Sequence, residues 1–210
     1  MTKPEPLQNG SYYHIYNRGN SGEVLFREER NYPYFLKLYA KNIEPVAETY
    51  AYCLLSNHFH FLVRIKSVEE QAETEVQTGP VSETGPVFTP KDPSRQFNNL
   101  FIAYAKAINK AYQRTGALFE SPFKRKLVGN DRYFTYLIAY IHQNPRRHGF
   151  VKDFRDWPYS SYRAIASGKT TRIQRDKVLE WFDGRRVFED FHLIEADEAA
   201  IEPLIVDVFI

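Results

Sequence analysis

A chain of 210 residues, 43% of them apolar, is long enough for one well-buried domain with an appendage and short for two full domains. Its single cysteine, Cys53, excludes an intrachain disulfide framework. No apolar run reaches the ~18 residues of a membrane-spanning helix, and Met1 to Gly10 lacks the basic flank and apolar stretch of a signal peptide, so a cytoplasmic protein is expected. The net charge of +2 conceals a segregation, since residues 183–210 carry eight acidic side chains against Arg185 and Arg186 and leave the rest of the chain strongly basic. That basic part suits a polyanionic partner.

In chain order, Tyr12 to Tyr16 alternates as a strand does, and Asn17-Arg18-Gly19-Asn20 supplies a turn. Glu29 to Asn42 has helical spacing, closed by Pro45. Val46 to Leu55 and Phe59 to Ile65 read as two strands joined by a tight turn at Ser56-Asn57. Ser67 to Pro93 breaks the pattern with Glu69, Glu70, Glu73, Glu75 and Glu83 and a twice-written Thr-Gly-Pro-Val tract, and reads as a flexible acidic insertion. Ser94 to Arg114 then has the stripe of an amphipathic helix ended by Gly116, and Pro122 to Val128 is a short basic strand. Asp131 is placed to cap a helix from Arg132 to Gln143 that ends near Asn144-Pro145. Asp176 to Phe182 and Gly184 to His192 suggest short helical pieces in a C-terminal appendage over 166–210. The order β-α-β-β-α-β-α predicts an α+β fold: a ferredoxin-like split βαβ antiparallel sheet with helices on one face, and an extra helix packed nearby.

Within the third strand, His58 and His60 stand two residues apart, so both rings project from one face with Cα atoms about 6.6 Å apart. Two imidazoles so placed can converge on one divalent metal and leave it open to substrate. Tyr140 and Asn144 lie one helical turn apart near the end of the last long helix, which offers a nucleophile beside a carboxamide. Taken singly, each has an ordinary reading: polar residues of a half-exposed strand, a core tyrosine, a helix-end asparagine. Their co-occurrence favours chemistry.

The blocks Tyr13-His14-Ile15-Tyr16-Asn17-Arg18-Gly19 and Tyr52-Cys53-Leu54-Leu55-Ser56-Asn57-His58-Phe59-His60, with Phe119 to Lys126, Tyr140 to Gly149 and Trp157-Pro158-Tyr159-Ser160-Ser161-Tyr162, resemble the single-tyrosine HUH transposases, in particular the REP-associated tyrosine transposases. The resemblance covers about residues 10 to 165 and makes 1–165 a catalytic domain interrupted at 67–93. It implies metal-dependent cutting and rejoining of single-stranded DNA through a 5′-phosphotyrosine, with hairpin-containing element or repeat ends as partner and a homodimer allowed. By position, His58, His60 and Asn144 would hold Mg²⁺ or Mn²⁺, Asn144 standing where some relatives have glutamine, and Tyr140 would be the nucleophile. Arg18, Lys124, Arg125, Lys126, Arg146 and Arg147 are the expected DNA contacts, and His142 or a nearby arginine the group that activates Tyr140. Two other classes share some of these features: a relaxase or rolling-circle initiator, and a nucleic-acid-binding module without catalysis.

Overall fold

The computed structural model describes residues 5–78, 88–129 and 131–194. Most of the repeated tract over 77–87, the Asp131 side chain and the acidic tail from 195 onward, all singled out in the sequence, lie outside the described residues.

Four antiparallel strands, β1 (Tyr12–Arg18), β2 (Ala47–Leu54), β3 (His58–Ile65) and β4 (Lys124–Val128), form one sheet in the order β2-β3-β1-β4. This is the expected ferredoxin-like arrangement. Helices α1 (Asn31–Ile43) and α3 (Pro93–Ala111) cover one face. There Ile15, Phe59, Phe61, Val63 and Ile65 pack against Phe35, Tyr39, Phe97 and Tyr104. Alternation in β3 turns His58, His60, Leu62 and Arg64 to the other face, which is covered by α4 (Asp131–Arg147). The C-terminal helices α5 (Tyr162–Ala166), α6 (Arg175–Trp181) and α7 (Arg185–Leu193) pack around α4. Val178, Phe182 and Phe188 share a core with Leu137, Tyr140 and Ile141.

Two boundaries differ from the sequence reading. Val68–Thr78 forms helix α2 at the head of the acidic segment. Its start is a reciprocal cap: the Glu70 amide donates to Ser67 Oγ at 3.2 Å, and the Ser67 amide donates to Glu70 Oε2 at 2.7 Å. Arg64 also pairs with Glu70, and Lys66 Nζ donates to Thr74 Oγ1 at 3.0 Å, tying α2 to the end of β3. Helix α4, in turn, runs through Pro145 to Arg147 instead of ending before it. The stop is Gly149, at φ +72°. Its amide donates to Arg146 O at 3.0 Å while that of Phe150 donates to Pro145 O at 2.9 Å, the two bonds of a Schellman C-cap.

The free edge of β2 is closed by the chain after α4. The Leu54 amide donates to Tyr159 O and the Ser161 amide to Tyr52 O, both at 2.9 Å. Among the described residues, no helix is long and apolar enough to cross a membrane.

Candidate active site

His58 and His60 open β3 immediately after the turn, with ring centroids 5.2 Å apart and planes nearly perpendicular. Each ring is held by its inner nitrogen. His58 Nδ1 donates to Asn57 Oδ1 at 2.8 Å, and His60 Nδ1 lies 3.0 Å from Nε2 of His14, which sits on β1 opposite Leu62. The outer atoms, Nε2 of both rings, are buried without a hydrogen-bond partner. Burial and then the nearby His148 ring hold the His58 pKa down to about 4, against an opposing pull from Asn144. Burial, reinforced by His14, keeps His60 well below the usual imidazole range. Both rings are therefore neutral at physiological pH, the state in which an imidazole nitrogen offers a lone pair to a metal.

Helix α4 crosses this face and brings Tyr140 over the pair, its ring 5.7 Å from that of His60 and 6.5 Å from that of His14. Tyr140 is fully buried and its hydroxyl has no hydrogen-bond partner; the same holds for Asn144 Oδ1. Asn144 Nδ2 donates to Tyr140 O at 2.9 Å, which fixes the carboxamide one turn along the helix and leaves its oxygen for the site. Burial raises the Tyr140 pKa to about 12, while Asn144 and then Arg147 pull against it. The Arg147 guanidinium lies 5.6 Å from the centre of the Tyr140 ring. Asn144 thus acts on both His58 and Tyr140, although neither contact has full hydrogen-bond geometry. Two imidazole nitrogens and an amide oxygen form a donor set that a divalent ion fits, and their lack of protein partners is the observation that supports it. Among the described residues, no group of three or more His, Cys, Asp or Glu side chains could hold a metal, so any such site depends on the amide or on substrate oxygens.

A cleft of about 330 Å³ opens against the pair, lined by Tyr16, Arg18, His58, His60, Glu120, Lys124, His148 and Phe150 among others. Tyr140 and Asn144 lie behind it and do not line it. At its rim Gly19 turns the chain where a Cβ would meet the Glu23 carbonyl oxygen at 1.9 Å, and its amide donates to Asn57 O at 2.8 Å. Arg18 reaches the cleft paired with Glu120, Nε to Oε1 at 2.5 Å.

The other expected DNA contacts separate. Lys124 pairs with Tyr16, and Lys126 with His14, on the side of the histidines. Arg125 alternates to the opposite face, where its guanidinium lies 4.0 Å from the Phe123 ring centre and donates to Ser94 Oγ at 2.8 Å. It braces β4 against α3. Arg146 and Arg147 are half-buried at the end of α4.

His142, expected as an activating group, faces away from Tyr140. His192 Nδ1 donates to Phe188 O at 2.7 Å, which leaves His192 Nε2 to accept from His142 Nδ1 at 2.8 Å, and His142 Nε2 accepts from Ser161 Oγ at 2.7 Å. Burial, then His192, holds His142 well below the usual range. It is a neutral link between α4, α7 and the β2 edge. Gln143, the neighbouring amide on α4, is committed as well, with Nε2 donating to His192 O at 2.8 Å and Ile194 O at 2.7 Å. The residue the sequence reading missed is His148, whose ring stands 4.8 Å from that of His58 at the cleft mouth. The Gly149 stop signal, which places it at the C-cap of α4, would have revealed it.

No family model matches the chain. Over 115 residues it is 29% identical to a Haemophilus influenzae protein assigned as a REP-associated tyrosine transposase, a match covering 55% of this chain and 58% of that protein. Over 71 residues it is 28% identical to a REP-associated tyrosine transposase of Escherichia coli K12, covering 33% of this chain and 43% of the other. The matched stretches span less than two-thirds of either relative. The fold is similar to the solved structure of a REP-associated tyrosine transposase bound to a REP hairpin, with a TM-score of 0.58 and 18% identity, covering 82% of this chain and 88% of that one. In sequence the chain is thus similar, over part of its length, to REP-associated tyrosine transposases, and its fold is similar to that of one of them.

Proposed function

We propose that this protein cuts and rejoins single-stranded DNA, with Tyr140 as nucleophile and His58, His60 and Asn144 as holders of Mg²⁺ or Mn²⁺. The observation that carries the reading is the meeting of four buried, unpartnered polar atoms, His58 Nε2, His60 Nε2, Asn144 Oδ1 and Tyr140 Oη, from β3 and α4. Leaving such atoms unpaired is costly unless a ligand completes them.

When bound, a divalent ion would neutralise phosphate charge and stabilise the leaving oxygen. The remaining work falls to side chains. His14 and Asn57 fix the two imidazoles through their inner nitrogens. Lys124 and the Arg18–Glu120 pair line the cleft that receives the phosphate backbone. Tyr140 Oη forms a bond to phosphorus as the bond from phosphorus to the 3′ oxygen breaks; the phenolic proton is given up and the departing oxygen gains one, becoming a 3′-OH. Attack by another 3′-OH on the phosphotyrosine reverses these steps and joins the strands without a nucleotide cofactor. Arg147 beside the ring, and not His142, supplies positive potential to the phenolate. Because Tyr140 has no exposed surface, attack requires the end of α4 to draw back from the sheet.

The reading predicts a denaturation-resistant adduct when the protein meets Mn²⁺ and single-stranded DNA, with hairpins, from the flanks of its own gene. Absence of any adduct under these conditions, with DNA binding intact, would favour a binding module instead. Retained cleavage in the His58→Ala/His60→Ala double variant would overturn the metal assignment.

A further inference from the structure

We propose that Phe150, Trp157 and Tyr159 form a stacking track for unpaired bases, over which single-stranded DNA runs from the mouth of the His58/His60 cleft across the β2 edge. The proposal rests on the single-strand reading above and adds the path and the residues that recognise bases.

Phe150 is 39% exposed and is itself part of the cleft wall beside His58 and His148. Its ring centre lies 5.4 Å from that of Trp157, and Trp157 lies 5.6 Å from Tyr159. The three rings continue one another, and Tyr159 borders a shallow hollow lined by Pro33 and Leu36 on α1. Extended backbone at Trp157, φ −76° and ψ 114°, helps put the side chains of Trp157 and Tyr159 on one side of the chain.

The track is built before any ligand arrives. Trp157 Nε1 donates to Leu54 O at 2.9 Å, and Tyr159 stacks on Tyr32 with centroids 3.6 Å apart and planes within 4°. Phe150 is set by the Gly149 cap. Rings held this way lose little freedom on binding, which favours affinity. A row of partly exposed aromatics leading out of a cleft with cationic side chains fits a chain of unpaired bases on a phosphate backbone: the rings take the bases, and Lys124 in the cleft and the exposed Lys152, two residues after Phe150 in the chain, take phosphates. A duplex hides its base faces and gains nothing from such a row.

The test measures binding without chemistry, in the Tyr140→Phe protein with EDTA, so that it does not depend on the cleavage assignment. Fluorescence anisotropy of a labelled oligonucleotide is compared for this protein and its Phe150→Leu derivative, with an abasic strand of equal length as control. Loss of one stacked base should weaken binding of the normal strand about tenfold and leave the abasic strand unchanged. With Trp181→Phe added, Trp157 is the sole tryptophan, and its emission should be quenched by the normal strand only. Equal affinities for both strands in both proteins, or equal loss for both, would overturn the proposal. A Trp157 signal that follows protein concentration without DNA would also overturn it and assign the strip to contact with a second copy. Adduct formation by the wild-type protein remains a separate readout, so either reading can fail alone.

Discussion

His14 Nε2 and His60 Nδ1 lie 3.0 Å apart across the β1–β3 pair, with both rings fully buried. The contact occupies the inner nitrogen of His60 and fixes which way its outer nitrogen points. For His60 Nε2 to carry a lone pair, Nδ1 must hold the proton and donate it to His14. His14 is therefore an orienting residue for the proposed metal site, although it does not line the cleft.

Replacing His14 by phenylalanine keeps ring volume and removes the acceptor. Mn²⁺ affinity, measured by calorimetry, should fall about 10- to 100-fold, with far-UV circular dichroism unchanged. The His14→Gln protein, which can still accept through its amide oxygen, should recover part of the loss. Unchanged affinity in both would show that His60 needs no such partner.

Acid should destabilise the fold through its buried neutral histidines. His58 and His192 have native pKa values near 4, and those of His60 and His142 lie well below 6.5, in each case first because of burial. In the unfolded chain these rings titrate near 6.5, so below that pH the unfolded state binds more protons than the native one. The stability they contribute is full above about pH 6.5 and is lost as pH falls toward about 4. Urea unfolding at steps from pH 7.5 to 4.5 should show a falling midpoint, with a shallower slope in His192→Phe. A flat profile would contradict the neutral assignment.

Much of this was legible in the sequence, because it depended on alternation and helical spacing. The run from His58 to Ile65 divides into a site face and a core face, as its period of two requires. The spacing from Tyr140 to Asn144 gave a shared helix face. Arg125 was legible too: the same alternation that keeps Lys124 and Lys126 together sends it to the far side, where Phe123 and Ser94 hold it. The end of α4 was obscured by Pro145, a helix breaker in most settings, while the operative stop was Gly149. The roles of Gln143 and His142 depend on α7, which lies some fifty residues away in the chain and becomes a neighbour only through packing. No local pattern announces that.

Neighbouring amides on α4 should therefore behave in opposite ways. Gln143→Leu leaves the His192 and Ile194 carbonyls without their donor and should cost about 1–3 kcal/mol of stability, while Mn²⁺ binding is unchanged. Asn144→Ala should weaken Mn²⁺ binding with a much smaller change in unfolding midpoint. The reverse pattern, metal loss in Gln143→Leu and none in Asn144→Ala, would exchange their roles.

Tyr140→Phe gives the most direct separation of packing from chemistry. The Tyr140 hydroxyl makes no hydrogen bond, and the ring fills a core with Leu137, Ile141 and Cys53, so phenylalanine should keep or slightly raise thermal stability. Metal and single-stranded DNA binding should persist, yet neither adduct nor free 3′-OH should form. Peptide mapping of the wild-type adduct names the nucleophile. Tyr136, one turn earlier, packs against Phe191 on α7, ring centres 5.3 Å apart, and is poorly placed. Tyr16 is the stronger competitor, since it lines the cleft with its ring 6.0 Å from that of His60. A nucleotide remnant on Tyr16 would keep the reaction class and move the nucleophile from α4 to the sheet, and Tyr16→Phe would then abolish the adduct while Tyr140→Phe retained it.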